Sequence, residues 1–248
     1  MWEDTEFMDF EKFADELNIK GKVLSVKRRN DAEAYSPVRE GCAFRALNNA
    51  AGGETIRLSD DIIKCPGGKI GFGFRNGPME IPGGYGHFVS YGAGEGAPPG
   101  MRLKSSPELA EQGAQSSPEN VLEGCTIIEI KPYEQTDDPD LVTVLASADQ
   151  LSALNLLFNF RRTGNESAYF PTGSACSSVF LLPFSELRRE EPRAVIGNAD
   201  ISVRPYFEAD TLFFTVSGQA FREMLQDADE SFLIASAWKK LKPRIHVD

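Results

Sequence analysis

At 248 residues, the chain can bury about 70% of the surface that its unfolded form exposes, so one full-sized core forms without disulfide staples. Its 41% hydrophobic and 25% charged residues exclude a disordered or collagen-like polymer as the main class. The 26 Lys and Arg against 37 Asp and Glu leave a net charge of −11, a field that repels phosphate backbones and anionic lipid, so nucleic acid and membrane are not expected partners.

Phe10, Phe13, Ala14 and Leu17 recur at helical spacing and predict an amphipathic helix stopped by Gly21. Val23–Val26 reads as a strand, and residues 30–39 as a polar loop. Residues 42–51 are small or apolar and form a helix ended by Gly52-Gly53. Thr55–Leu58 alternates like a strand, and Cys65-Pro66-Gly67-Gly68 opens a short helix through Phe74. Residues 76–120 are too rich in Gly and Pro for regular structure and predict a long inserted loop or lid, with short helix starts at Ser106-Pro107 and Ser117-Pro118.

Order returns with the strand Thr126–Ile130. Leu141–Leu145 is an almost continuous apolar strand, as in a sheet covered on both faces. Ser147-Ala148-Asp149-Gln150 is a capping box that launches a helix carrying Leu151, Leu154, Leu157 and Phe158, with Gly164 as its stop. A short helix over 174–182 is closed by Pro183. Ala194–Ile196 and Leu212–Val216 are strands; Phe221–Leu225 and Phe232–Leu241 are helices. The sum is one compact α+β domain, residues 1–248, with a mixed sheet, flanking helices and the Gly/Pro-rich insertion.

The N-terminal Met1-Trp2-Glu3-Asp4 is acidic and lacks a basic-then-apolar leader, and no apolar run approaches the roughly eighteen residues of a membrane span. A cytoplasmic, reducing setting follows as an expectation, in which the four Cys are thiols, ligands or core residues. Cys42, Cys65 and Cys176 each stand at a predicted helix start, where the dipole lowers a thiol pKa and favours the thiolate that attacks electrophiles and binds metal. Cys125 leads into a strand and is structural. No Cys-x-x-Cys occurs, so ordinary zinc and ferredoxin signatures are absent.

Glycines ahead of a helix let backbone N–H groups approach an anion, and Gly67, Gly68, Lys69 and Arg75 compose such a cradle. His87, in the Gly-rich loop with Tyr85 and Tyr91, and Arg204, between two strands with Asp200 as its simplest partner, complete a candidate ligand set. His246, near the C-terminus, is read as solvated.

These residues also carry a resemblance. Cys42 with its helix, Asp60-Asp61 before Cys65-Pro66-Gly67-Gly68, then Gln150, Gly164, Gly173-Ser174-Ala175-Cys176, Gly197 and Arg204 resemble the domain-of-unknown-function family numbered 169. The resemblance covers most of the chain outside the N-terminal helix and residues 76–120. It implies the anaerobic bacterial and archaeal setting in which the family is largely found, and marks Cys42, Cys65 and Cys176 as the motif cysteines. Family members often carry Gln after the first Cys; here Ala43 stands there.

Three functions follow, in order. The first is a small-molecule or anion-binding module with its pocket at helix N-termini. The second is a metal or iron–sulfur protein on Cys42, Cys65 and Cys176, and the third a thiol-dependent enzyme.

Overall fold

The computed structural model describes residues 8–31, 33–34 and 42–245; the acidic N-terminus, most of the polar loop after β1, and His246 lie outside these. A seven-stranded sheet runs in the order β2-β3-β1-β4-β7-β6-β5. Its strands are β1 Val23–Arg29, β2 Ile56–Leu58, β3 Ile127–Pro132, β4 Leu141–Ala146, β5 Ala168–Tyr169, β6 Ala194–Gly197 and β7 Leu212–Ser217. Every neighbouring pair is antiparallel except β5 and β6.

Period-two alternation divides the core into two layers. Val142, Val144 and Ala146 of β4 face one layer with Phe214 and Val216 of β7, under α1 (Phe10–Glu16), α6 (Ala148–Phe158), α8 (Gly218–Asp227) and α9 (Ser236–Ile245). Leu141, Leu145 and Phe213 face the other, under α2 (Ala46–Ala51), α3 (Pro66–Gly71) and α7 (Leu182–Glu186) with the π-helical turn before it, Ser177–Leu181. Covering both faces is why β4 reads as an almost continuous apolar run. The C-terminal segment does cover the core: Trp238 is buried and its indole N–H donates to Glu16 Oε1 at 2.6 Å.

Thr143 and Thr215 are the polar exceptions on β4 and β7. They lie opposite each other, wholly buried, and their hydroxyls share a 3.0 Å hydrogen bond. Thr143→Val leaves the Thr215 hydroxyl without this partner, so urea melts should show a loss of about 1–3 kcal/mol, while Thr143→Val with Thr215→Val recovers most of it. Additive losses in the double variant would refute the pairing.

Several boundaries differ from the sequence expectation. The α6 helix does open with the Gln150 side chain accepting from the Ser147 amide at 2.8 Å. It ends at Phe158, with the Asn159 side chain folded back onto the Asn155 carbonyl at 2.7 Å, so the stop comes before Gly164. Pro183 closes nothing: α7 continues past it to Glu186. The preceding π-helical turn widens the backbone where the proline ring would otherwise meet the carbonyl four residues back.

The insertion is also more regular than its glycines implied. It holds α4 (Tyr85–Val89) and α5 (Pro107–Gln115), the latter starting at the expected Ser-Pro step with Ser106 Oγ accepting from the Leu109 amide. Glycine is what lets the two helices meet, because a Cβ on Gly86 would stand 2.7 Å from the Pro107 carbonyl oxygen. Ser117-Pro118 opens no helix. At the base, Asn76 Nδ2 donates to Asn120 Oδ1 and the Asn120 amide donates to Asn76 Oδ1, both at 3.0 Å. No described helix is long and apolar enough to cross a membrane.

Candidate functional site: a cysteine pair at two helix starts

Cys42 is the N-cap of a single 3₁₀ turn, Ala43–Arg45, that runs on into α2. Its backbone is extended, and its sulfur makes no cap hydrogen bond within ordinary geometry, although the Phe44 and Arg45 amides of the new turn lie near enough to favour its anion. Cys176 lies in the first turn of the helix that becomes π-helical at Ser177, and is 7% exposed. The two thiols hydrogen-bond to each other. The Cys176 contact, joined by the Phe44 and Arg45 amides, holds the Cys42 thiol at about 6, against the opposing push of burial and of the Asp200 carboxylate. Cys42 is therefore largely thiolate at neutral pH.

Cys176 behaves in the opposite way to the expectation for a helix-start thiol. Its hydrogen bond to Cys42, its burial and the negative charge on Cys42, with lesser contributions from Cys65 and Asp200, push it well above the ordinary thiol range. Within the pair, the more accessible Cys42 is shifted down and the buried Cys176 is shifted up.

Two neighbours shape the pair, and neither was singled out from sequence. Gly71 sits where α3 touches Cys176: a Cβ there would lie 2.5 Å from the Cys176 Cβ and 3.0 Å from the Ser177 amide nitrogen. The signal was present as the third glycine of the Gly67-Gly68-x-x-Gly71 run. Asp200 was read as the partner of Arg204. Instead its Oδ2 accepts from the Ala175 amide at 3.2 Å, and its Oδ1 from the Ser202 amide and hydroxyl at 3.0 and 2.7 Å. It thereby ties down the start of the Cys176 helix. The Arg204 guanidinium donates to the Thr211 and Ala209 carbonyls.

Cys65 is the N-cap of α3, and its sulfur accepts from the Gly68 amide at 3.4 Å. It lies within electrostatic range of Cys176, so the three motif cysteines share one neighbourhood. Cys125 is half-buried against the second core layer. Among the described residues, no group of three or more His, Cys, Asp or Glu side chains is placed to hold a metal ion.

A model of the DUF169 family, described as "Uncharacterised ArCR", matches residues 12–227, a span that includes all three helix-start cysteines. The chain belongs to the DUF169 family. No curated protein and no solved structure matches it.

In this DUF169 chain the remaining candidate residues are dispersed. Lys69 Nζ pairs with Asp60 Oδ2 at 3.3 Å, and Arg75 makes two 2.8 Å bonds to the same carboxylate, holding it below its ordinary pKa. The Gly68 amide is occupied by the Cys65 sulfur. Gly67 faces Met79: a Cβ on it would meet the Met79 sulfur at 3.5 Å and the Cys65 sulfur at 3.9 Å. Met79 in turn forms one wall of a groove of about 440 Å³, with Ile81, Tyr85 and Glu111 among the others. His87 lies in α4 of the insertion, edge-on to Tyr91, with its Nδ1 buried and without a hydrogen-bond partner among the described residues.

Proposed function

We propose that this DUF169 protein is a thiol-dependent protein that acts on a small electrophilic molecule through Cys42, with Cys176 as the buried donor that keeps the Cys42 sulfur anionic. The observation that carries this reading is the convergence of one thiol and two backbone amides on the Cys42 sulfur. Sulfur nucleophilicity depends on the thiolate, and a half-buried thiolate with three donors is ready at neutral pH. An anion pocket receives less support, since Lys69 and Arg75 are both engaged by the one Asp60 carboxylate and Arg204 is committed to backbone carbonyls.

The test is timed alkylation with iodoacetamide, read residue by residue by mass spectrometry between pH 5 and 9. Cys42 should label about tenfold faster than Cys125 at pH 7, with its rate inflecting near pH 6. Equal labelling of the two, with a Cys42 inflection above pH 8, would reject the reading.

A second reading has less support. A soft metal ion or an iron–sulfur cluster on the three motif cysteines would need them drawn closer together, since the charge of Cys65 reaches Cys176 but no described group of three such side chains is placed to hold a metal. Metal and sulfide analysis of protein purified without oxygen separates the two: stoichiometric metal with thiolate charge-transfer bands selects the second.

A further inference from the structure

A nucleophilic thiolate needs no second cysteine, yet here one partner of Cys42 is another thiol, enclosed by protein. We propose that Cys42 and Cys176 are a peroxide-reactive dithiol that closes to an intramolecular disulfide, Cys42 meeting the oxidant and Cys176 resolving it. The proposal rests on the reading of Cys42 as the reactive sulfur and names a substrate class for it, hydroperoxides.

The geometry divides the two roles. Cys42 is half-buried and so accessible to a small oxidant, whereas Cys176 is shielded and meets only what Cys42 delivers. Their hydrogen bond already brings the sulfurs together. The absent side chain at Gly71 leaves the Cys176 Cβ the room that it occupies, and Asp200 pins the helix start just before it, through the Ala175 amide. Cys65 is directed elsewhere, its sulfur accepting from the Gly68 amide of its own helix.

The chemistry balances in two steps. The Cys42 thiolate attacks one peroxide oxygen and the O–O bond breaks. Cys42 becomes a sulfenic acid, and the departing oxygen takes a proton from solvent and leaves as water. The Cys176 sulfur then attacks the Cys42 sulfur. The S–O bond breaks, the S–S bond forms, and the Cys176 proton leaves with the hydroxyl as a second water. Two thiols lose two electrons, and hydrogen peroxide is reduced to two waters. Once Cys42 is a sulfenic acid its negative charge, one of the causes that keep Cys176 protonated, is gone, and the Cys176 proton passes to the leaving hydroxide as its sulfur attacks.

The experiment treats the fully reduced chain with one equivalent of hydrogen peroxide, counts free thiols, and maps disulfide-linked peptides without reduction. Four thiols should fall to two, with a single Cys42–Cys176 linkage. Cys176→Ser should instead trap a sulfenic acid on Cys42 as a dimedone adduct, and Cys65→Ser should still form the bond. If Cys176→Ser does not fold, the Cys65→Ser chain and the linkage map decide alone. Four remaining thiols, or a linkage through Cys65 or Cys125, would overturn the proposal. Failure here is distinct from failure of the nucleophile reading. Fast Cys42 alkylation without a disulfide leaves that reading standing and removes the dithiol; slow alkylation with an inflection above pH 8 removes the nucleophile reading and the dithiol with it.

Discussion

Phe44→Ala should lower stability by about 3–5 kcal/mol and raise the pH at which Cys42 becomes reactive. The ring is fully buried, edge-on to Phe207 at 5.5 Å and tilted against Phe213 at 5.4 Å, so its removal empties a site in the second core layer. The same residue belongs to the 3₁₀ turn whose amides lie near the Cys42 sulfur, so its ring fixes those donors in place. Phe44→Leu keeps most of the volume and separates the two effects, with a smaller loss of about 1–2 kcal/mol. Urea denaturation and the pH profile of alkylation read the two outcomes. If Phe44→Ala costs several kcal/mol but the Cys42 inflection stays near 6, the amides are not what steadies the thiolate, and Cys176 does so alone.

The second large effect lies on β3, one strand in from the β2 edge of the sheet. Glu129 projects from β3 with its side chain only 8% exposed, and accepts from Arg57 Nε at 2.7 Å and from Arg29 Nη1 at 2.9 Å. Arg57 is its register partner on β2. Burial pushes this carboxyl up, but the hydrogen bonds and charges of Arg57 and Arg29 outweigh it, and the net pKa lies below the ordinary glutamate value. A carboxyl depressed in the folded state contributes stability that is fully present above its unfolded pKa, near 4.3, and is lost as pH falls through the folded value. Glu129→Ala should therefore cost about 3 kcal/mol at pH 7, the low end for a broken buried pair, because Arg29 and Arg57 remain 31% and 37% exposed and stay partly hydrated. The gap between variant and parent should narrow from pH 5 to pH 3. A gap that stays constant over that range would mean that packing, not charge, is what Glu129 provides.

Much of the fold was legible because it depends on local periodicity. β4 announced a sheet covered on both faces, Ser147 and Gln150 announced α6, and Ser106-Pro107 announced α5. Cys42 and Cys65 were placed at helix starts by the glycines and proline around them. What was hidden depends on contacts between distant residues. Nothing near Cys176 in the chain reveals that Cys42 is its partner, and that partner reverses the pKa direction expected from the helix start alone. Lys69 and Arg75 looked like free charges because Asp60, which pairs with both, reaches them only through the fold of α3. Pro183 looked like a stop because sequence periodicity contains no sign of a π turn.

The reciprocal Asn76–Asn120 bonds mean that residues 77–119 leave and rejoin the domain at one point. A detour whose ends already touch imposes almost no span requirement on the scaffold. Its entropic burden grows only logarithmically with length, by about 0.6 kcal/mol per doubling. The sheet is thus insulated from how long this detour is, and a longer or shorter one would ask no rearrangement of the core.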